Sequence, residues 1–180
     1  VLWVDDVNWT DNTTEPNLIH EGKNKVIIYV RDAAGNLNSS IRYFNVANPP
    51  KWQSLGQNNS NPLFGESVEL FAEAIDESGL DYAWLATNES GKWENKTDKV
   101  IDMNDSKVWK WSFFSWKSSH AMAGKTIGWK VFYNDTYGTI NETDIMIFVI
   151  KKLQDGSKCT NDIQCLGGYC VHGICRSTPT

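Results

Sequence analysis

The sequence predicts an all-β chain: β-sandwich repeats followed by a small disulfide-rich C-terminal module. Three observations predict it. Apolar residues recur at every second position, an Asp-x-x-Gly-x-x-Asn segment occurs twice about a hundred residues apart, and all four cysteines lie close to the C-terminus. Val68, Leu70, Ala72 and Ala74 alternate with Glu69, Phe71 and Glu73, the pattern of a strand buried on one face. Leu80, Tyr82, Trp84 and Ala86 alternate next and place Trp84 centrally on an early strand, where sandwiches commonly bury an aromatic. Trp109, Trp111 and Phe113 share one face of a third strand, Ile127, Trp129 and Val131 one face of a fourth, and Ile145, Ile147 and Val149 one face of a fifth. Turn clusters separate them at Asp76–Gly79, Asn88–Gly91 and Asp135–Gly138. Helical spacing is not sustained anywhere; one short turn of helix is expected near 118–122.

The second observation sets the domain plan. Asp32, Gly35 and Asn38 recur as Asp135, Gly138 and Asn141, each 103 positions on. Gly22-Lys23 answers Gly124-Lys125, Trp9 answers Trp116, and Phe44 and Val46 answer Phe148 and Val149 at slightly different offsets, as loop insertions between aligned strands produce. A period near 100 residues is the size of one immunoglobulin-like sandwich. Residues 1–48 then correspond to the last strands of one repeat, 49–152 to a complete repeat, and 153–180 to the cysteine module. Asn48-Pro49-Pro50 marks the first boundary, since prolines end a ladder and stiffen a linker. Three strands of a seven-stranded sandwich leave Val26, Ile28, Val30, Phe44 and Val46 on an uncovered face, with open ladder edges. The expectation is completion by upstream chain or by a strand from a partner.

Composition points outside the cell. The chain holds 17 Asn among 180 residues, and nine of them head Asn-x-Ser/Thr acceptors: Asn8, Asn12, Asn38, Asn58, Asn88, Asn95, Asn104, Asn134 and Asn141. Chance placement gives roughly 2.5. Glycans are bulky and hydrophilic, so these positions are expected to face solvent. A net charge of −5 without a basic run disfavours nucleic acid and anionic membranes as partners. No stretch approaches the roughly 20 apolar residues of a membrane helix. The chain opens without Met or a basic-then-apolar leader, which reads as a piece of a longer precursor.

The run Gly-Lys-x…Tyr/Phe-x-x-Asp-x-x-Gly-x-x-Asn, met at 22–38 and again at 124–141, resembles the closing hairpin of immunoglobulin-like repeats in archaeal and bacterial surface glycoproteins of the S-layer or adhesin type. The resemblance covers 1–150 and implies a structural or adhesive role at the cell surface. The inter-sheet disulfide of antibody domains is missing, because no cysteine precedes Cys159.

Cys159, Cys165, Cys170 and Cys175 permit three pairings. The tail has too few large apolar residues for a core, and a unit this small needs staples. A Cys₄ zinc site is the weaker reading, since no Cys-x2-Cys pair is present. The spacing resembles the Cys-x-x-Asp-x-x-Cys…Gly-x-Cys knots of secreted microbial and animal proteins, and with that resemblance the preferred pairing is Cys159–Cys170 and Cys165–Cys175.

No constellation for catalysis is found. His20, His120 and His172 lie far apart, no Gly-x-Ser-x-Gly or His-Glu-x-x-His occurs, and Asp5-Asp6 reads as a solvated loop. The chain is therefore expected not to be an enzyme and to hold no metal. Asp32 and Asp135 offer oxygen ligands for a structural Ca²⁺, but an Asp-Gly turn that binds its own amides is preferred. Trp93, Trp109, Trp111 and Trp116 raise a rival reading, a carbohydrate-binding accessory module of a secreted enzyme; the alternation of Trp109 and Trp111 with Lys110 and Ser112 favours burial instead. The expected role is an extracellular, cell-surface structural or adhesive glycoprotein, with filament or S-layer assembly by strand complementation. Its expected partners are copies of itself or the rest of its precursor through sheet-edge pairing, and cell-surface glycans. Its only non-protein groups are expected to be N-linked glycans.

Overall fold

The computed structural model describes residues 21–179, with the side chain of His120 excepted. Asn8, Asn12, Asp5, Asp6, Trp9 and His20 lie outside the described residues. The described chain forms two compact units that divide between Asn48 and Pro49, and all its long elements are strands.

The first unit contributes one hairpin, β1 (Gly22–Arg31) against β2 (Leu37–Val46), in continuous antiparallel register from Gly22↔Val46 to Arg31↔Leu37. β-Branched and aromatic residues dominate both strands, which suits a pleated ribbon.

The second unit is a two-sheet sandwich. One sheet orders β3 (Lys51–Gln57), β4 (Ser67–Ile75) and β7 (Lys110–Lys117) as β3-β4-β7. The other orders β10 (Met146–Val149), β8 (Thr126–Asp135), β5 (Leu80–Thr87) and β6 (Glu94–Ser106) as β10-β8-β5-β6, with β9 (Ile140–Glu142) also on β8. First, second and fifth strands face the others, the strand order of an immunoglobulin-like sandwich. Between them lies a single core that includes Val68, Leu70, Leu85, Phe114, Trp129 and Phe148. A 3₁₀ turn at His120–Met122 stands where a helical turn was expected.

The period of two holds on β4, β7, β8 and β10, but its phase is reversed on β7 and β10; on β5, Leu80 and Ala86 are buried as expected and only the stretch between two register shifts is reversed. On β5, Tyr82 is exposed and Trp84 half-buried, while Ala83 and Leu85 point inward. A register shift between Leu80 and Tyr82 exchanges the faces. Trp84 is therefore not the central core aromatic; it stacks on Phe132 at 5.5 Å on the outer face. Trp129, fully buried, takes that place. On β7, Trp111 and Phe113 are exposed, as is Trp109 just before the strand, and Ser112, Phe114 and Trp116 are buried. On β10, Ile147 and Val149 are exposed, as is neighbouring Ile145, whereas Phe148 and Ile150 are buried. Both alternating sets of β7 and β10 carry large apolar groups, so periodicity alone could not tell inside from outside.

Polar ties across the sandwich explain the buried phase. Tyr133 donates its hydroxyl to Ser112 Oγ at 2.7 Å, and Ser112 donates to the Ala72 carbonyl at 3.2 Å. Burial pushes the Tyr133 phenol well above the usual tyrosine range, even against the Ser112 hydrogen bond. Trp129 Nε1 donates to Gln57 Oε1 at 2.6 Å, and Gln57 donates to the Ile147 carbonyl at 2.9 Å. Trp116 Nε1 donates to Glu89 Oε2 at 2.6 Å, and Lys96 Nζ stands 2.5 Å from the other Glu89 oxygen. Each links the two sheets or a loop to a sheet, and each satisfies an indole or phenol that burial would otherwise strand.

The cysteine tail holds two short strands, β11 (Tyr169–Val171) and β12 (Ile174–Arg176), and the expected bridges Cys159–Cys170 and Cys165–Cys175. Closing loops of 11 and 10 residues, they stabilise the tail by about 2–3 kcal/mol each. A capping box from Asn161 and the fully buried Gln164 orders the 3₁₀ turn Asp162–Gln164 between them. Asp162 Oδ1 accepts the Cys170 amide at 2.6 Å, which gives the Asp of the Cys-x-x-Asp-x-x-Cys run its role. The Leu153 amide donates to Gln164 O and the Leu166 amide to Leu153 O, so the tail hydrogen-bonds to the chain leaving the sandwich.

Burial opposes the charge on Glu89, but hydrogen bonds from Lys96 and Trp116 outweigh it and hold the carboxyl below its ordinary value. A carboxyl whose folded pKa is depressed stabilises the fold above its unfolded pKa and loses that contribution as pH falls through the folded value. Glu89→Gln is expected to destabilise the sandwich by about 1 kcal/mol at pH 7. Urea denaturation should show the gap to the parent protein closing as pH falls below about 4.

Candidate functional site: repeated turns and exposed aromatic faces

The two Asp-Gly turns have the same geometry. In the β1–β2 turn, Asp32 Oδ1 accepts the amides of Ala34 and Asn36 at 3.0 and 2.8 Å. In the β8–β9 turn, Asp135 Oδ1 accepts those of Tyr137 and Thr139 at 2.9 and 2.8 Å. The second oxygen binds the Asn36 amide in one and the Thr139 hydroxyl in the other. Gly35 and Gly138 donate to the carbonyls of Asp32 and Asp135, at φ of 90° and 82°. A side chain at either glycine meets the left-handed penalty, so the residue type follows from the turn. The Asn36 hydrogen bond is the largest cause of an Asp32 carboxyl lowered from its ordinary pKa.

Pairing beyond the turns also agrees. Val30↔Asn38 and Tyr29↔Ser39 have counterparts in Tyr133↔Asn141 and Phe132↔Glu142. Farther on, the β8 register shifts by one residue between Glu142 and Met146, whereas β1–β2 continues unbroken. That extra residue aligns Phe44 with Phe148 and Val46 with Ile150, rather than with Val149. Val26, Ile28 and Val30 thereby correspond to Trp129, Val131 and Tyr133, all fully buried. Their own state differs: Val26 is 38% exposed, Val30 41% and Phe44 42%. Among the described residues the hairpin is a two-stranded sheet without a strand on the second edge of β1.

Of the described glycan acceptors, Asn38, Asn58, Asn95 and Asn104 are exposed. The other three are half-buried and committed to the fold. Asn88 Oδ1 accepts the Gly128 amide at 2.7 Å. Asn134 accepts the Tyr82 amide and donates to Asp81. Asn141 Nδ2 donates to the Pro50 carbonyl at 2.8 Å, and its Thr143 is buried with Oγ1 accepting the Val131 amide. Asn134 and Asn141 thus use the nitrogen that would carry a sugar to hold the sandwich together.

Both outer faces carry aromatic groups. On the three-stranded sheet Trp111 and Phe113 stack at 5.8 Å, and Phe71 meets Trp111 edge-on at 5.8 Å. On the other sheet Lys130 Nζ lies 4.7 Å from the Phe132 ring and 5.2 Å from Trp93, and pairs with Glu142 at 2.6 Å. Trp93 is exposed, but Trp116 is not. Neither Phe71 nor Phe132 is read from the sequence as a member of these faces: Phe71 stands there only as a spacer between core positions, and position 132 only as the aromatic of the repeated run. His172 sits exposed in the β11–β12 turn at φ 51°. No helix of the described residues is long and apolar enough to cross a membrane.

Asp135→Ala removes the acceptor for two amides and a hydroxyl and should destabilise the sandwich by about 2 kcal/mol. Asp32→Ala should leave the same transition unmoved, since Asp32 belongs to the other unit; calorimetry of both variants checks this. No family model matches the chain, and no curated protein matches it. Among solved structures, a DUF4466 family protein from Parabacteroides merdae ATCC 43184 is similar at 11% identity and a TM-score of 0.42. The match covers 72% of this chain and 45% of that one, so the chain spans less than half of its length.

Proposed function

We propose that this chain is part of an extracellular structural or adhesive surface glycoprotein built from tandem immunoglobulin-like sandwiches. The observation that supports it best is the repeated turn: two Asp-Gly hairpins, 103 positions apart, with the same amide hydrogen bonds to Asp Oδ1 and the same strand register next to the turn. In this reading β1–β2 is the closing hairpin of a preceding sandwich, and the Val26/Ile28/Val30 row is its core face. The remaining strands come from the rest of the precursor or from a neighbouring subunit by strand addition to β1. The excess of glycan acceptors and two disulfides in 17 residues fit an oxidising, glycosylating compartment. No catalytic role is assigned to any residue. Electron microscopy of native material should reveal filaments or lattices with a periodic spacing; dispersed monomers with a folded β1–β2 hairpin would contradict strand addition between subunits.

A second reading, a carbohydrate-binding accessory module, is favoured by one observation, the exposure of Trp109, Trp111 and Phe113. It expects saturable quenching of tryptophan fluorescence by neutral soluble polysaccharides, lost in Trp111→Ala and retained in Trp93→Ala. Absence of quenching by any polysaccharide removes it.

A further inference from the structure

Directly opposed residues on neighbouring strands share a face, so the pairing lays out the outer surface of the three-stranded sheet row by row. One row is Gln53–Glu73–Trp111, and the next is Gly56–Phe71–Phe113. A third row follows: the Asn58 amide donates to the Glu69 carbonyl, and Glu69 pairs with Ser115. The glycan acceptor Asn58 therefore stands on the aromatic face, roughly 7 Å along β3 from Gly56.

The local geometry prepares this position for a sugar. Asn58 Oδ1 accepts the Glu69 amide at 2.9 Å, which fixes the side chain while using its oxygen rather than the nitrogen that forms an N-glycosidic bond. Asn58 and Ser60 are both exposed. Gly56 matters equally. A Cβ there would lie 2.6 Å from Cε2 of Phe71, so the absence of a side chain lets the phenyl ring lie across β3 beside the acceptor. Phe113 continues the platform at 6.1 Å from Phe71 and is 54% exposed. An aromatic face is electron-rich and attracts the axial C–H groups of a pyranose, while the equatorial hydroxyls stay in water. A protein partner suits the strip less well: Glu73, bound to Gln53 at 2.8 Å and in no ion pair among the described residues, would have to be desolvated beside Trp111.

We propose that Asn58 is glycosylated and that the first sugars of its glycan lie over Phe71 and Phe113, covering this end of the aromatic strip. The covalent step is the ordinary one: a lipid-linked oligosaccharide donor transfers its sugar to Asn58 Nδ2, the nitrogen loses a proton, and the lipid phosphate leaves. This inference rests on the reading of the chain as an extracellular glycoprotein, and the experiment separates the two.

The full chain is secreted from a glycosylating host, and its glycopeptides are mapped by mass. Thermal unfolding is then compared for the parent, Asn58→Gln, Phe71→Ser and the double variant, with Ser60→Ala as a second way to remove the glycan. The expected result is occupancy at Asn58 and a Tm lowered by about 3 °C on loss of the glycan. That loss should vanish in the Phe71→Ser background, and nuclear Overhauser contacts should join the first sugar to the Phe71 ring. Occupancy at Asn38, Asn95 or Asn104 without Asn58 overturns this inference alone, and an unmodified chain overturns the glycoprotein reading as well. An occupied Asn58 with no dependence on Phe71 overturns the stacking. So does saturable polysaccharide binding that Phe71→Ser abolishes while the glycan is in place, because it shows the strip open to free sugars.

Discussion

A carboxylate that binds the amides of its own turn fixes the register on which the sandwich depends. Asp135 closes the β8–β9 turn through both oxygens and holds Phe132, Tyr133 and Asn134 opposite Glu142, Asn141 and Ile140. Side chains alternate with a period of two, so a slip of one residue would carry Trp129, Val131 and Tyr133 from the core to solvent. The polar ties depend on the same choice, because Tyr133 reaches Ser112 and Trp129 reaches Gln57 only from the inner face. Turn chemistry, register, burial and inter-sheet hydrogen bonding form one chain of causes, and each is satisfied only if the one before it is.

The same carboxylate turn at Asp32 imposes the same register on β1–β2, yet the face it selects stays largely open among the described residues. A hairpin alone is marginal in water, and an apolar row beside an open ladder edge invites pairing. The opposite face of the ribbon is also apolar, with Ile27, Tyr29, Ile41 and Tyr43 all exposed. Correspondence with β8 separates the two: Val26, Ile28 and Val30 occupy positions that a complete sandwich buries, whereas Ile27 and Tyr29 occupy those of the outer-face residues Lys130 and Phe132. Tandem sandwiches give such a face its cover from within the same repeat, and surface assemblies can supply it from a neighbour.

The all-β class, the cysteine module and its pairing were legible in the sequence, though the pairing came through resemblance to known knots and not from spacing alone. β4 and β8 were legible because their outward positions include Glu69, Glu73, Lys130 and Asn134, which exclude burial of that set. On β5, β7 and β10 large apolar groups occupy both sets, and inside is decided by what crosses the core: a bulge after Leu80, the Ser112–Tyr133 hydrogen bond, and Phe148 against Trp116 at 5.0 Å. The aromatic strip follows from that reversal: in the sequence, exposure of Trp109 and Trp111 stands only as the rival to burial, and Phe71 and Phe113 are not among the candidate rings. Acceptor sequons were countable, but their division into exposed and structural ones depends on tertiary partners such as Pro50 for Asn141.

The proposal that β1–β2 is the closing hairpin of a sandwich is tested most directly by thiol labelling of the native protein carrying Ile28→Cys or Ile27→Cys. These neighbouring positions on one strand report opposite faces. The account predicts that the thiol at 28 is protected in native material and becomes reactive only on denaturation, while the thiol at 27 labels readily. Equal labelling of both, or protection at 27 with reactivity at 28, would contradict it.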